Sequence, residues 1–146
     1  MNRIFNRNKD HREHMLRNLA TSLILFEQIQ TTEAKAKEVK SYVDKILSGA
    51  KSQDFNSVRS LNKVFFDKNA VKKIIEELIP RYSKRTSGFI KSYHLKNRLG
   101  DNAPMMMLEL IDKKTFVSKE KPVKKGDTVE VDLNNKDKAK VTKNGK

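Results

Sequence analysis

The chain of 146 residues is long enough for one domain with a modest hydrophobic core. It contains no cysteine, which excludes disulfides, cysteine-based zinc sites and thiol catalysis, and no apolar run is long enough to span a bilayer. Because so positive a domain repels itself when free, the net charge of +14 predicts binding to a polyanion, either nucleic acid or an anionic membrane surface.

Residues 1–9 show no hydrophobic periodicity and predict a flexible basic arm. Asp10 lies three residues before Glu13, and this capping-box spacing predicts that the first helix starts there. The helix is amphipathic, because apolar side chains recur along one side of it at helical spacing. The residues predicted to face the core are Met15, Leu16, Leu19, Leu23 and Phe26.

Residues 27–31 predict a short strand, after which Thr32 is a suitable N-cap for a second helix. Lysines line the outer side of this helix, and Gly49 predicts its end. Its apolar stripe consists of Ala36, Val39, Val43, Ile46, Leu47 and Ala50.

A shorter third helix is predicted from about Phe55 to Phe65, and Asp67 predicts the N-cap of a fourth. On the fourth helix we expect Lys73 to face solvent and Pro80 to end the helix, because proline lacks the next N–H donor. The positions predicted to face the core are Val58, Leu61 and Phe65 on the third helix and Val71, Ile74, Ile75 and Leu78 on the fourth.

Residues 89–95 and 104–111 predict two strands, and the turn-rich residues 96–103 join them into a hairpin. The order α-β-α-α-α-β-β predicts an α+β fold with a small sheet, in a single domain spanning residues 10–111. Residues 112–146 are Lys-rich and predict a tail that is either mostly disordered or carries one short edge strand.

The sequence offers little for catalysis. His11 and His14 lie three apart on the first helix and are read either as metal ligands or as neighbours of phosphate. The second reading is favoured, because no further cysteine or histidine ligand is at hand. Neither a phosphate-cradling Gly-rich loop nor a serine with a base at recognisable spacing is present. We therefore expect no enzymatic activity, no metal and no cofactor.

Cations recur in five separate segments with few compensating acids, which predicts a nucleic-acid surface. The aromatic residues Tyr82, Phe89 and Tyr93 lie near the basic loops and predict stacking on bases, with packing at a hinge as the alternative for Tyr82. The residues of these segments predicted to contact nucleic acid are Arg3, Arg7, Lys9, Arg12, Arg17, Asn18, Lys35, Lys37, Lys40, Arg81, Arg85, Lys96 and Arg98.

Several separated blocks carry a resemblance to a known family. The first are His11-Arg12, residues 17–23 (RNLATSL) and residues 31–38 (TTEAKAKE). The later ones are Arg81-Tyr82, Arg85 with Gly88-Phe89, residues 100–105 (GDNAPM) and residues 109–111 (ELI). In this order the blocks resemble the bacterial large-subunit (50S) ribosomal protein L17 family, and the resemblance covers about residues 6–111.

The resemblance implies a non-catalytic structural protein bound to large-subunit ribosomal RNA. It also implies neighbouring ribosomal proteins, a place near the tunnel-exit side and the family's fold, which agrees with the predicted order. A ribosomal protein of this kind works in the cytoplasm. Beyond the cations, the resemblance implies RNA contacts by Asn6, His11, Thr31 and Thr32. The chain departs from the family in its shorter basic arm and in the segment after Ile111, which lies beyond the family's usual end.

Two other classes of function stay open. A nucleoid-type DNA-binding protein is the main alternative, because charge alone cannot separate duplex DNA from RNA, although no helix-turn-helix spacing favours it. An RNA-modifying enzyme would need a cofactor loop or an acid–base pair, and the sequence offers neither.

Overall fold

The computed structural model describes residues 3–112 of the chain. Its helices are α1 (Lys9–Phe26), α2 (Glu33–Ala50), α3 (Phe55–Val64) and α4 (Lys68–Lys73), and α4 continues through a π-helical turn (Ile74–Leu78) into the short α5 (Ile79–Arg81). Its strands are β1 (Gln28–Thr32), β2 (Ile90–His94) and β3 (Met105–Leu110). Among these helices, none combines the length and the apolarity needed to cross a membrane.

The three strands form one antiparallel sheet in the order β1-β3-β2. The central strand β3 therefore pairs both with its hairpin partner β2 and with β1, which lies far away in sequence. At one end of the sheet Thr32 of β1 lies opposite Met105 of β3, and at the other Ile90 of β2 lies opposite Leu110. The sheet thus joins β1, which follows the first helix, to the β2–β3 hairpin near the end of the described residues.

Helices α1 and α2 pack against the sheet on the face that carries Met106, Leu108 and Leu110. Side chains alternate along a strand, so these three residues point into the core while Met105 and Met107 lie half-buried on the other face. Helix α2 contributes its predicted stripe to this core, chiefly Ala36, Val39, Val43 and Leu47. The fully buried residues of α1 are Ala20, Leu23 and Ile24, of which only Leu23 was predicted, and the predicted Leu16 and Leu19 are partly buried. The predicted α+β fold with a small sheet is confirmed.

The start and the end of α1 differ from the prediction. The helix begins at Lys9 with Asn8 at the N-cap, so Asp10 lies inside the first turn and no capping box forms. Glu13 instead faces Arg17, one helical turn later, at 3.5 Å. Phe26 is exposed, because the core positions near this end are already filled by Leu23 and Ile24.

Two predicted helix ends are wrong. Gly49 keeps a helical backbone, and α2 runs on to Ala50. Pro80 lies inside α5, since the π-helical turn before it widens the backbone at the point where proline lacks a donor. The helical segment therefore carries Arg81, which the sequence had placed in a loop. The N-cap at Asp67 is confirmed, because its carboxylate accepts a hydrogen bond from the backbone N–H of Asn69 at 2.8 Å.

The β2–β3 hairpin is confirmed, and the loop between its strands is held by its own hydrogen bonds. The N–H of Arg98 donates to the carbonyl of Ala103 at 2.9 Å, and the amide of Asn97 donates to Asn102 at 2.9 Å. The prediction of a disordered tail or an edge strand concerns residues 113–146, which lie outside the described residues.

Candidate nucleic-acid interface

The N-terminus of α2 and the hairpin loop meet at one end of the sheet. The backbone N–H of Glu33, the first residue of α2, donates to the carbonyl of Pro104 at 3.0 Å. Thr32 ends β1 at the point where Met105 begins β3 and His94 ends β2. Three chain segments that are distant in sequence are thereby fixed beside one another at what we call the loop end of the sheet.

The segments that meet at the loop end carry several basic residues. Two of them are neutralised locally, because Lys37 pairs with Glu33 at 2.5 Å and the Arg98 Nε donates to Asp101 at 3.0 Å. The other cations have no ion-pair partner within residues 3–112. We define the loop-end cluster as Arg3, Lys35, Lys37, Lys40, Lys96 and Arg98.

The two carboxylates at the loop end, those of Glu33 and Asp101, have lowered pKa values because positively charged groups lie near them. The hydrogen bond and charge of Lys37, together with the charges of His94 and Arg3, lower the pKa of Glu33. The hydrogen bonds from Arg98 and from the backbone N–H of Ala103 lower the pKa of Asp101 to about 2. Both acids therefore remain ionised at neutral pH. They partner Lys37 and Arg98, whereas among residues 3–112 no carboxylate lies at ion-pair distance from Lys35, Lys40 or Lys96. Lys40 donates to the hydroxyl of Ser92 at 3.5 Å, and its charge also acts on the carboxyl of Asp44.

The N-terminal arm folds back onto α1 and α2. Phe5 and Asn6 both adopt a left-handed backbone, with φ of 58° and 51°, and this turn reverses the chain before α1. The guanidinium of Arg7 then donates to the sulfur of Met15 at 2.5 Å. Lys9 is exposed at the start of α1. Arg3 lines an open cavity of about 310 Å³ together with Arg12, Glu13, Leu16, Glu38 and Tyr42.

The polar residues of α1 point in several directions. His11 and Asn18 lie on its exposed side, and His14 lies between them. Arg12 is half-buried and faces α2 in the cavity that Arg3 also lines. Arg17 turns toward the chain between α3 and α4, where its guanidinium carbon lies 5.4 Å from the ring centre of Phe66. The structure therefore places Arg12 and Arg17 on opposite flanks of the exposed stripe.

The two threonines before α2 lie on opposite faces of the sheet. Thr31 pairs with Met106 on the core side and is buried, whereas Thr32 pairs with Met105 on the outer side. Thr32 occupies the N-cap position of α2, as predicted, but its side chain makes no capping hydrogen bond. Of the two, only Thr32 is placed where a ligand at the loop end can reach its hydroxyl.

Arg81 lies at the opposite end of the sheet and is used inside the protein. Its guanidinium donates two hydrogen bonds to the Glu27 carboxylate, at 3.0 and 3.2 Å, and Lys73 lies 3.0 Å from the same carboxylate. The side chains of Glu27, Arg81 and Lys73 are only 5%, 12% and 16% exposed. The expectation that Lys73 faces solvent is wrong, since its ammonium also donates to the carbonyl of Leu25 at 2.8 Å.

These three residues form what we call the Glu27 network, which joins the end of α1 to α4 and α5. Burial by itself raises the pKa of the Glu27 carboxyl, but the hydrogen bonds and charges of Arg81 and Lys73 outweigh it and lower the pKa. Glu27 ends α1 in a left-handed backbone with φ of 59°, and its carbonyl accepts the N–H of Leu110 at 2.9 Å. Glu27 thus stabilises the end of α1, the end of β3 and the positions of Lys73 and Arg81.

Arg85 lies beyond the Glu27 network and is about half exposed. Its Nε is 3.9 Å from the carboxylate of Asp112, and Lys51, directly after α2, donates to the backbone carbonyls of Ser83 at 3.2 Å and of Arg85. This loop is therefore held against α2 while the Arg85 guanidinium stays accessible.

The aromatic residues do not behave as the sequence predicted. Tyr82 and Phe89 are buried against each other with ring centres 5.1 Å apart, so the prediction that they stack on bases is wrong. The hydroxyl of Tyr82 donates to the carbonyl of Ile111 at 2.5 Å, which is the packing role left open for it. Tyr93 stays exposed on β2. The sequence analysis did not identify Phe66 as an exposed aromatic residue. The signal was its neighbour Phe65, which was predicted to face the core, so that the next side chain faces solvent.

Neither histidine of α1 lies in a metal-binding group within the described part of the chain. In residues 3–112 no three His, Cys, Asp or Glu side chains come close enough together to hold a metal ion. His14 instead stacks on Phe66, with ring centres 6.1 Å apart and planes inclined by 25°.

Comparison with known proteins gives one consistent result. The family model described as ribosomal protein L17 matches residues 15–111. A large ribosomal subunit protein bL17 from Syntrophotalea carbinolica is 42% identical over 106 residues, covering 73% of this chain and 68% of the relative. The bL17 proteins of Endomicrobium trichonymphae and Elusimicrobium minutum are 42% and 46% identical over 101 and 102 residues. These matches cover 69% and 70% of this chain and 86% and 87% of those relatives.

Proposed function

Because the chain belongs to the ribosomal protein L17 family, and is thus a structural rather than a catalytic protein of the ribosome, we propose that it binds folded large-subunit ribosomal RNA. It works in the cytoplasm as part of the large subunit. Its task is to hold RNA segments together by neutralising their phosphates with side chains that the fold has already positioned.

The loop-end cluster is the observation that carries this proposal. Lys35 and Lys40 come from α2, Lys96 from the hairpin loop and Arg3 from the arm, and within residues 3–112 no carboxylate lies at ion-pair distance from them. Unpaired cations that converge from three segments repel one another in the free protein, and a polyanion removes that repulsion. Each phosphate contact also releases condensed counterions, which favours binding.

The exposed side of α1 extends the proposed surface along the arm. His11 and Asn18 offer hydrogen bonds to phosphate or sugar oxygens, and Asn6, Arg7 and Lys9 lead toward them. Thr32, Arg12 and Arg85 are further proposed contacts at its margins. We leave Arg81 and Thr31 out of this surface, because Glu27 occupies the guanidinium of Arg81 and Thr31 faces the core.

The location within the subunit is a separate proposal. We place the protein near the tunnel-exit side, beside other ribosomal proteins, as the resemblance to the family implies. Chemical cross-linking of assembled large subunits, followed by mass spectrometry of the cross-linked lysines, tests this location. Cross-links only to proteins remote from the tunnel exit would contradict it.

The binding proposal is tested by measuring the affinity of the full chain for protein-free large-subunit ribosomal RNA between 50 and 300 mM salt. The expected result is a steep linear fall of log affinity with log salt. Competition with duplex DNA of equal phosphate concentration separates this function from that of a nucleoid-type protein. Equal affinity for the two nucleic acids at physiological salt, or an affinity that does not depend on salt, would overturn the proposal.

A further inference from the structure

Three flat side chains meet on the surface between α1 and the chain that joins α3 to α4. Phe66 follows the buried Phe65 and leaves 68% of its own surface exposed. The imidazole of His14 stacks on its ring with centres 6.1 Å apart, and the guanidinium carbon of Arg17 lies 5.4 Å from its centre. His14 and Arg17 are three residues apart on α1, so both reach the same ring from one helix.

Packing of the core does not explain why an exposed phenylalanine occupies position 66. Phe65 fills the core at this point, and Phe66 adds little to it. His14 and Arg17 contact the ring, and Arg17 also pairs with the carboxylate of Glu13 at 3.5 Å. An exposed aromatic face beside a guanidinium and an imidazole has the composition of a stacking site for nucleobases.

We propose that Phe66, His14 and Arg17 form a platform on which one unpaired base of the bound RNA stacks, a proposal that rests on the RNA-binding function given above. The base lies on the exposed face of the Phe66 ring. His14 and Arg17 hold that ring in place, and their N–H groups donate to the edge or to the phosphate of the same nucleotide. Such stacking tolerates any base, because every base has a π-face, and it is independent of the phosphate contacts at the loop end.

A protein side chain is the competing occupant, and the charges argue against it. An apolar partner would have to desolvate the Arg17 guanidinium and the imidazole without offering them acceptors. Nucleotides carry both the flat apolar surface that Phe66 matches and the acceptors that Arg17 and His14 need.

The test compares two substitutions of Phe66 with a control. Phe66→Leu keeps an apolar side chain but removes the ring, whereas Phe66→Tyr keeps the ring. Phe55→Leu, at an equally exposed position (78%) at the start of α3, removes a phenylalanine remote from the platform. Each full-length variant is titrated with protein-free large-subunit ribosomal RNA at several salt concentrations, and thermal unfolding confirms that it is folded.

Phe66→Leu should weaken binding by roughly tenfold, because stacking on one base is lost. Its log–log salt slope should equal that of the unmodified protein, since no phosphate contact is removed. Phe66→Tyr and Phe55→Leu should bind normally. Ultraviolet cross-linking to RNA containing 5-iodouridine should join a nucleotide to Phe66 or His14.

Normal affinity of Phe66→Leu for RNA would overturn the platform. The platform would also be overturned if the Phe66→Leu protein bound isolated ribosomal RNA normally but was incorporated poorly into large subunits. Phe66 would then contact a neighbouring protein. A failure of the proposed function looks different: the unmodified protein itself would then show no salt-dependent binding to ribosomal RNA.

Discussion

Two groups of basic residues lie at opposite ends of the same three-stranded sheet, and the fold uses them in opposite ways. At the loop end, no carboxylate among the described residues lies at ion-pair distance from Lys35, Lys40 or Lys96. At the other end, Lys73 and Arg81 surround the carboxylate of Glu27, and Arg81 also lies 3.7 Å from the carboxylate of Glu77. The residue types are the same, and only their surroundings differ.

The difference indicates which cations the proposed RNA interface can use, namely those that the fold leaves without a carboxylate at ion-pair distance. A largely buried cation without a partner is costly, so Glu27 stabilises the folded protein by pairing with Lys73 and Arg81. A cation that keeps access to water is stable without a carboxylate partner, so the half-buried Lys35 and the exposed Lys96 remain available for a phosphate. The comparison predicts that changes at one end alter stability and changes at the other alter binding.

Glu27→Gln should have the largest effect, because it leaves Lys73 and Arg81 buried beside a neutral amide. We expect a loss of about 3–5 kcal/mol in the free energy of unfolding, measured by urea denaturation. Glu13→Gln, which removes the more exposed partner of Arg17, is the control and should cost no more than about 1 kcal/mol. Similar losses for both variants would contradict the distinction between the two ends.

Replacing Lys35, Lys40 and Lys96 together by glutamine should leave stability nearly unchanged and weaken binding to ribosomal RNA. If each contacts one phosphate, the magnitude of the log–log salt slope should fall by about 3. The affinity should then fall by roughly 100-fold at physiological salt. The matched control replaces the exposed Lys63, Lys68 and Lys72 of α3 and α4 by glutamine, with the same loss of charge. Equal losses of affinity in both triple variants would mean that only the net charge matters.

The Glu27 network also predicts how stability depends on acid. The pKa of Glu27 is lowered in the folded protein, so its contribution is fully present above its ordinary value of 4.5 and is lost as pH falls through the lower folded value. The difference in unfolding free energy between the unmodified protein and Glu27→Gln should therefore shrink as pH is lowered below 4.5. A difference that stays constant down to pH 2 would show that the charge of Glu27 is not what stabilises the network.

Tyr82→Phe should have an intermediate effect at the same end of the sheet. The substitution keeps the ring against Phe89 but removes the donor to the buried carbonyl of Ile111. We expect a loss of about 1–2 kcal/mol in unfolding free energy, because that carbonyl loses its partner. RNA affinity should be unchanged, and a change in affinity without a change in stability would argue that this aromatic pair contacts RNA.

Arg98→Ala should have the smallest effect and concerns only the hairpin loop. Without the guanidinium, the pKa of the Asp101 carboxyl should rise from about 2 toward its ordinary value of 3.8. A carbon-13 NMR titration of the carboxyl group measures this shift, and the melting temperature should stay the same because the loop is exposed. An unchanged pKa would mean that the backbone N–H of Ala103 dominates.

The local features were largely predictable from sequence. Apolar stripes at helical spacing located α1 and α2, and the turn-rich residues 96–103 located the hairpin, because both depend on neighbours only a few residues away. Helix ends were less predictable: Gly49 and Pro80 are both accommodated within helical backbone, where packing and a π-helical turn override local preference.

The roles of individual side chains depended on distant contacts. Arg81 and Glu27 are 54 residues apart in the chain, and no periodicity links them. His14 and Phe66 likewise meet only because α4 packs along α1. The RNA contacts themselves stay a prediction, and the structure narrows which cations are free to make them.

By itself, the sequence determined the order of helices and strands, the excess of positive charge and the family. All of these are sums or short-range patterns along the chain. Only the tertiary structure decided which cations face a carboxylate and which face solvent, since an ion pair or a ring contact depends on distances of a few ångströms between remote residues. The basic residues of the loop-end cluster and of the Glu27 network therefore look alike in the sequence. They differ only in the partners that the fold gives them.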